Sequence, residues 1–206
     1  MITSYKIDWK VPDNIEFFIS TNQSGFSKEK FEYANFSFDV GDNQTNVQSN
    51  INCLKKQLNI NHIVFMNQTH SHIVSNVSID SKCVDSDAIF SNDKRIACAV
   101  LTADCIPILI TNKTGSIIGC IHAGWKGLKD NIIEKFFNKL SNIKREEFIV
   151  LLGPCISQKN YEVDGDVLNH FPKYSKRFKK IKTGKYKMTL RYIAYDILSD
   201  IGITDV

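Results

Sequence analysis

Two apolar runs, Ile106–Thr111 and Ser116–Ile121, flank the tetrapeptide Asn112–Gly115, and this arrangement commits the middle of the chain to a β-hairpin. In a register symmetric about the loop, Thr111 faces Ser116 and, counting outward, Cys105 faces His122. Directly opposed residues of an antiparallel pair point to one side of the sheet, with Cβ atoms about 4.5–5.5 Å apart. A thiol and an imidazole are therefore expected to meet where two strands run out into loops. Such a pair suits a metal or a nucleophile with its base.

The rest of the chain alternates short apolar runs with few long helices. Glu16–Thr21, Ile63–Met66, Ile73–Val77, Val84–Phe90, Ile96–Leu101 and Phe148–Leu152 read as strands, and Phe36–Asp42 as a loop or short strand. Asn46–Leu58 carries a helical stripe, Val47, Ile51, Leu54 and Leu58, with Thr45 as its N-cap. Leu128–Leu140 places Leu128, Ile132, Ile133, Phe136, Phe137 and Leu140 on one helical face. Asp164–Phe171 and Tyr192–Ile201 are further helical segments. Strands outnumber helices without a regular βαβ alternation, so the expected class is α+β, with mixed, largely antiparallel sheets layered with helices.

The 206 residues contain no Pro/Ser-rich linker, which makes residues 1–206 one domain. The net charge of +4 is too modest to imply nucleic acid, although Lys173–Lys187 holds eight basic residues and no acid. That run is expected to be a solvated or mobile loop. The N-terminus lacks an apolar signal segment, and the longest apolar run, Ile96–Ile110, is interrupted by Asp104 and too short to span a bilayer. A cytoplasmic protein without membrane partners is expected. Its six cysteines include no CxxC pair and read as reduced thiols, with Cys98, Cys120 and Cys155 as small core residues.

Five histidines stand at 62, 70, 72, 122 and 170. Cys105, His122 and one of His70 or His72 would form a Cys-His-His set, and three protein ligands with an open fourth position is the catalytic zinc pattern. A buried thiol beside a hydrogen-bonded histidine, or a cysteine nucleophile with its base, fits the same spacing.

Four motifs extend this reading: Gln68-Thr69-His70, Thr102-Ala103-Asp104-Cys105-Ile106-Pro107, His122-Ala123-Gly124-Trp125-Lys126-Gly127, and Gly153-Pro154-Cys155-Ile156 followed by Tyr161-Glu162-Val163. In this order they resemble the YfiH-like laccase-domain family, the multicopper polyphenol oxidoreductases, from about Ser20 onward. The resemblance implies a zinc-dependent purine nucleoside phosphorylase with adenosine deaminase activity. It also implies a fold related to the catalytic domain of cytotoxic necrotising factors.

The same resemblance assigns His70, Cys105 and His122 to the metal, selecting His70 over His72. It makes purine nucleoside and phosphate the small-molecule partners; Lys126 is the best local partner for the anion, and the helix end near Leu128 adds backbone donors. Asp104, beside Cys105 and on the opposite face if the strand stays extended, reads as an acid/base, a ligand-orienting group or a turn residue. Gln68 contacts a base or braces its loop, Trp125 and Tyr161 stack on a purine or are buried aromatics, and Asp87 matches a family aspartate with an ordinary turn role.

This chain departs from the family at several positions. Asn22 follows Thr21 where arginine is usual, Ser24 and Ser71 replace glycines, Lys126 replaces an arginine, and the family's C-terminal segment is not matched. Other chemistries implied by relatives are a Cys-His hydrolase, an editing hydrolase acting on cell-wall precursors, and copper-dependent phenol oxidation. The last calls for more imidazoles than five scattered histidines supply.

Overall fold

The computed structural model describes all residues, Met1–Val206. After an N-terminal segment, α1 (Gln44–Gln57) leads into β1 (His62–Val64), β2 (Met66–Asn67), β3 (Val74–Asn76), β4 (Val84–Asp85), β5 (Ala88–Ser91) and β6 (Ile96–Cys98). The hairpin β7 (Ile106–Asn112) and β8 (Ile118–Ala123) follows, then α2 (Trp125–Lys129), α3 (Ile132–Lys139) and β9 (Phe148–Leu152). The chain closes with β10 (Glu162–Asp164), α4 (Gly165–Asn169), β11 (Phe178–Lys182), β12 (Lys185–Met188) and α5 (Leu190–Asp200).

The central sheet has the order β3-β5-β8-β7-β9, antiparallel except for the β3–β5 pair. Parallel pairs β1–β6 and β2–β4 and an antiparallel β10-β12-β11 sheet complete a mixed α+β fold. Both faces of the central sheet are covered. Ala88, Phe90, Ile108, Ile121 and Ala123 join α3 and α5 in the largest core cluster. Ile89 and Cys120, on the other face, pack with Val64, Met66 and Ile96. Alternation along β8 therefore puts His122 on the face away from α3.

The hairpin forms with a register two residues away from the symmetric one. Thr111 pairs with Ile118 and Pro107 with His122, so five residues, 113–117, form the loop. Asn112 sets that length: its Oδ1 accepts from Ser116 N and Ile117 N, its Nδ2 donates to Ser116 Oγ, and Gly115 supplies a φ of +61°. Cys105 is thus not opposite His122. A shift of two keeps the facing side, whereas a shift of one would have reversed it.

Other expectations are corrected by local chemistry. Glu16–Thr21 is not a strand, because its short partner offers only the Ser4–Ser20 bridge. Phe36–Asp42 is a loop. The cap of α1 is Asn43 rather than Thr45, its side chain accepting from Thr45 N and Asn46 N, a contribution of about 1 kcal/mol. Ile63–Met66 and Val84–Phe90 each divide into two strands with different partners.

The Leu128–Leu140 helix is two helices. Asn131 adopts the left-handed conformation at φ +63° between α2 and α3, and the helical path starts at Trp125 rather than Leu128. Its apolar stripe is buried all the same. The basic run is not a plain loop: it forms a 3-10 turn and the β11–β12 hairpin, tied down by Arg177–Asp196, Lys173–Asp200 and Lys185–Asp164 ion pairs. No helix is long and apolar enough to cross a membrane.

Candidate metal centre

The site is built around a carboxylate that the sequence reading left as a turn residue. Asp87, fully buried, lies just before β5. Its Oδ2 accepts from Ser71 Oγ (2.7 Å), Ser71 N (2.6 Å) and Thr69 N (3.2 Å), and its Oδ1 from His70 N (3.1 Å). The same Oδ1 lies 2.8 Å from His122 Nδ1. One carboxylate therefore holds both the loop bearing His70 and the ring of His122. The loop wraps it closely because His70 itself takes a left-handed φ of +60°. Ser71 contributes a hydroxyl donor beside its own N–H.

Burial alone would raise the Asp87 pKa, but the bonds from His122 and Ser71 overcome it and hold the group at about 2. Burial likewise acts to lower His122, but the Asp87 bond together with the Cys105 side chain outweighs it, pushing His122 up to about 9. An ionised carboxylate against Nδ1 makes that nitrogen the N–H donor. The ligand position left to His122 is then Nε2, which a metal would take by displacing its proton, as in carboxylate–histidine–metal arrangements. For His70, partial burial of the ring lowers the pKa, with the neighbouring His122 adding to it.

Cys105 reaches the histidines from the loop between β6 and β7. Asp104 O accepts from Ile156 N at 2.9 Å, and Gln68 grips Leu101 through both its amide oxygen (2.9 Å) and nitrogen (2.7 Å). Cys105 Sγ lies 3.6 Å from His70 Nε2, and the two imidazoles meet edge to face at 4.7 Å between centroids. The donor atoms of His70, Cys105 and His122 all fall within 4.8 Å of one another, the one such group of three in the molecule. Metal–ligand bonds of about 2.0–2.3 Å place tetrahedral N and S donors within this range of each other, so the set fits one zinc-sized ion. His122 is buried, Cys105 half-buried and His70 exposed, leaving the trio open on one side to a wide cleft.

Gly124 is required by this convergence. A Cβ there would stand 2.8 Å from Cys105 Sγ and 3.0 Å from His70 Cδ2, so the thiol would have to move and the imidazole to give way. Gly124→Ala is expected to push the trio apart and lower zinc affinity by at least about tenfold with the fold intact, since two donors shift together. Competition titration against a chelating dye, alongside circular dichroism, measures both.

The remaining candidates surround the trio without joining it. Asp104 is exposed, with no side-chain hydrogen bond, and Lys126 is exposed in the first turn of α2. Tyr161 is half-buried, and burial, with Cys105 and Asp104 nearby, raises its hydroxyl to about 12. Trp125 stacks on His170 at 6.0 Å. His72 is exposed and outside the trio, and His62 is bonded to Ser81 O. Burial pushes the Cys98 thiol up to about 12 and raises Cys120 well above its usual range, which suits core residues. Burial also raises Cys155, against the opposing pull of the nearby Arg191. The signal that marks Asp87 in the sequence is an acid opening the buried run Ala88-Ile89-Phe90, where a charge requires partners.

Comparison with known proteins supports the same region. The profile of the multi-copper polyphenol oxidoreductase laccase family matches residues 16–206. A purine nucleoside phosphorylase of Haemophilus influenzae is 33% identical over 206 residues, covering 97% of this chain and 84% of that protein. The purine nucleoside phosphorylase YfiH of Escherichia coli is 29% identical, covering 96% and 83%. The crystal structure of Neisseria meningitidis protein NMB0706 superposes with a TM-score of 0.88 at 30% identity, over 95% of this chain and 82% of that one.

Proposed function

This chain belongs to the multi-copper polyphenol oxidoreductase laccase family, and from that membership we propose that it is a zinc-dependent purine nucleoside phosphorylase, with adenosine deamination as a second activity. The observation that carries the reading is the convergence of His70, Cys105 and His122 on one position, braced by Asp87 and open to a cleft. Relatives about 30% identical are purine nucleoside phosphorylases. The geometry does not favour a copper oxidase, because a multicopper cluster needs several imidazole-rich sites and the molecule gathers a single group with two imidazoles.

His70, Cys105 and His122 would hold the zinc. Bound there, it supplies Lewis-acid charge that polarises a substrate oxygen or activates water for attack at C6 of adenine. In phosphorolysis, a phosphate oxygen forms a bond to the anomeric carbon as the glycosidic C–N bond breaks. The electron pair leaves with the purine, which takes up a proton. Asp104, exposed beside Cys105, is the group offered for that proton, and Lys126 the cation offered to phosphate. Gln68 acts through the loop, since both ends of its amide are engaged by Leu101. Trp125 and Tyr161 offer aromatic faces for the base.

A second reading rests on the 3.6 Å contact of Cys105 Sγ with His70 Nε2, which would equally serve a Cys-His hydrolase. One experiment separates the two: a purine nucleoside panel assayed with and without phosphate, on chelated protein and after zinc is restored. Phosphate-dependent release of base and ribose 1-phosphate, lost on chelation and recovered with zinc alone, is expected. Turnover that survives chelation and is abolished by thiol alkylation would replace the zinc reading with the hydrolase.

A further inference from the structure

We propose that Gln68 is a positioning residue that couples the metal trio to the N-terminal wall of the cleft. Its amide clamps the segment leading to His70 against the segment leading to Cys105, and the same two segments carry the side chains on which the N-terminal core rests. The coupling rests on the zinc reading above.

Main-chain pairing brings the two segments together and stops short of the trio. β1 and β6 run parallel from His62 opposite Ile96 to Val64 opposite Cys98, and Ala99 N donates to Val64 O at 2.9 Å. There the chain leaves the ladder, because β2 pairs with β4 instead. Gln68 takes over: its Nε2 donates to Leu101 O at 2.7 Å and its Oε1 accepts from Leu101 N at 2.9 Å. Between the Ala99 bond and the contact of Cys105 Sγ with His70 Nε2, no other hydrogen bond joins the two segments. The exposed run Thr102–Asp104, which leads from Leu101 to Cys105, has one further anchor, Ile156 N on Asp104 O at 2.9 Å. Leu101 thus fixes one end of the loop that carries the thiol, and Gln68 fixes Leu101.

The other side of the clamp meets the N-terminal residues. Ile2, Phe36, Val47 and Ile51 form a cluster of 4 buried residues separate from the main core. From beyond α1, this cluster takes just Phe65 and Leu101. Phe65 lies on the His70 side of the clamp, and Leu101 is the residue that Gln68 holds. Phe36, Phe65 and Leu101 also line the cleft onto which the trio opens. Before α1 the chain has little regular structure beyond a 3-10 turn at Glu29–Phe31 and the Ser4–Ser20 bridge. Its seating therefore depends on side-chain contacts of this kind, and such segments open at low free energy. A metal that draws His70 and Cys105 together also holds Gln68 on Leu101, and with it the support under the N-terminal cluster. Linkage makes the effect reciprocal, so loosening that cluster weakens metal binding.

The test is a double-mutant cycle on the purified chain, read by zinc competition against a chelating dye. Gln68→Met keeps the side-chain length and removes both polar ends, and zinc affinity should fall at least about tenfold. The cobalt-loaded variant should show a weakened thiolate-to-cobalt absorption. Ile51→Ala, on α1 and outside the metal site, should lower zinc affinity about fivefold in the wild type and less than about twofold in the Gln68→Met background. Ile51→Val gives the same sign at smaller size should Ile51→Ala not fold. Zinc should slow hydrogen exchange of α1 amides at least about fivefold in the wild type and leave them unchanged in Gln68→Met.

Wild-type zinc affinity in Gln68→Met, with a raised KM for nucleoside as its one defect, would overturn the proposal and make Gln68 a contact to the base. Equal effects of Ile51→Ala in both backgrounds would overturn the coupling. A chain that binds no zinc before any substitution would overturn the zinc reading and the coupling with it.

Discussion

Asp87→Ala is expected to destabilise the metal-free protein by about 3–5 kcal/mol and to weaken zinc binding by about 10–100-fold. The size follows from the number of groups left behind. Thr69 N, His70 N, Ser71 N, Ser71 Oγ and His122 Nδ1 all lose their acceptor at once. Urea unfolding at neutral pH and chelator competition measure the two effects.

Asp87→Asn keeps the volume and one carbonyl oxygen, so its stability loss should be smaller. Its amide cannot fix the His122 tautomer as a carboxylate does, and zinc affinity should still fall. Unchanged affinity in folded Asp87→Asn would show that the carboxylate does not orient the ligand. The acid side adds an independent readout. Because folding holds Asp87 down at about 2, the stability it contributes is full above the ordinary carboxylate range and is lost as pH falls toward 2. Asp87→Asn should lack that part of the acid-side slope.

Cys105→Ala should reduce zinc affinity by more than the roughly 100-fold that losing an outer partner costs, and remove turnover with it. The substitution deletes the one thiolate and leaves two imidazoles. Cys105 is half-buried in a loop, outside the main core cluster, so the metal-free fold should change in stability by less than about 1 kcal/mol. Cys105→Asp then separates ligand from nucleophile. A carboxylate can bind zinc but cannot do the work of a cysteine nucleophile. Zinc retained by this variant together with part of the activity supports the ligand role; a zinc-loaded but inactive Cys105→Asp, with alkylation-sensitive wild type, supports the hydrolase.

The hairpin was legible because its two apolar runs and turn residues are local signals. Its register was not, because the side chain of Asn112 enlarges the loop, and nothing in the apolar pattern records that. The trio was narrowed to His70 or His72 by spacing and to His70 by resemblance, and the structure gathers His70, Cys105 and His122. The long Leu128–Leu140 stripe was legible as buried surface, while the break at Asn131 was not. The left-handed residue interrupts the backbone without disturbing which side chains are apolar. Glu16–Thr21 failed as a strand for the opposite reason: pattern alone cannot supply a partner long enough to pair with.

By itself the sequence determined the α+β class, most strand positions, the apolar faces of α1 and α3 and the residue types available for a metal. These follow from periodicity and from chemistry carried by individual side chains. Only the tertiary structure decided that Asp87 joins two segments of the site and that a Cβ on Gly124 would crowd Cys105 and His70. Each depends on segments remote in the chain arriving within a few ångströms of one another. Hydrogen bonds and close contacts at that range are set by the assembled backbone rather than by any local pattern.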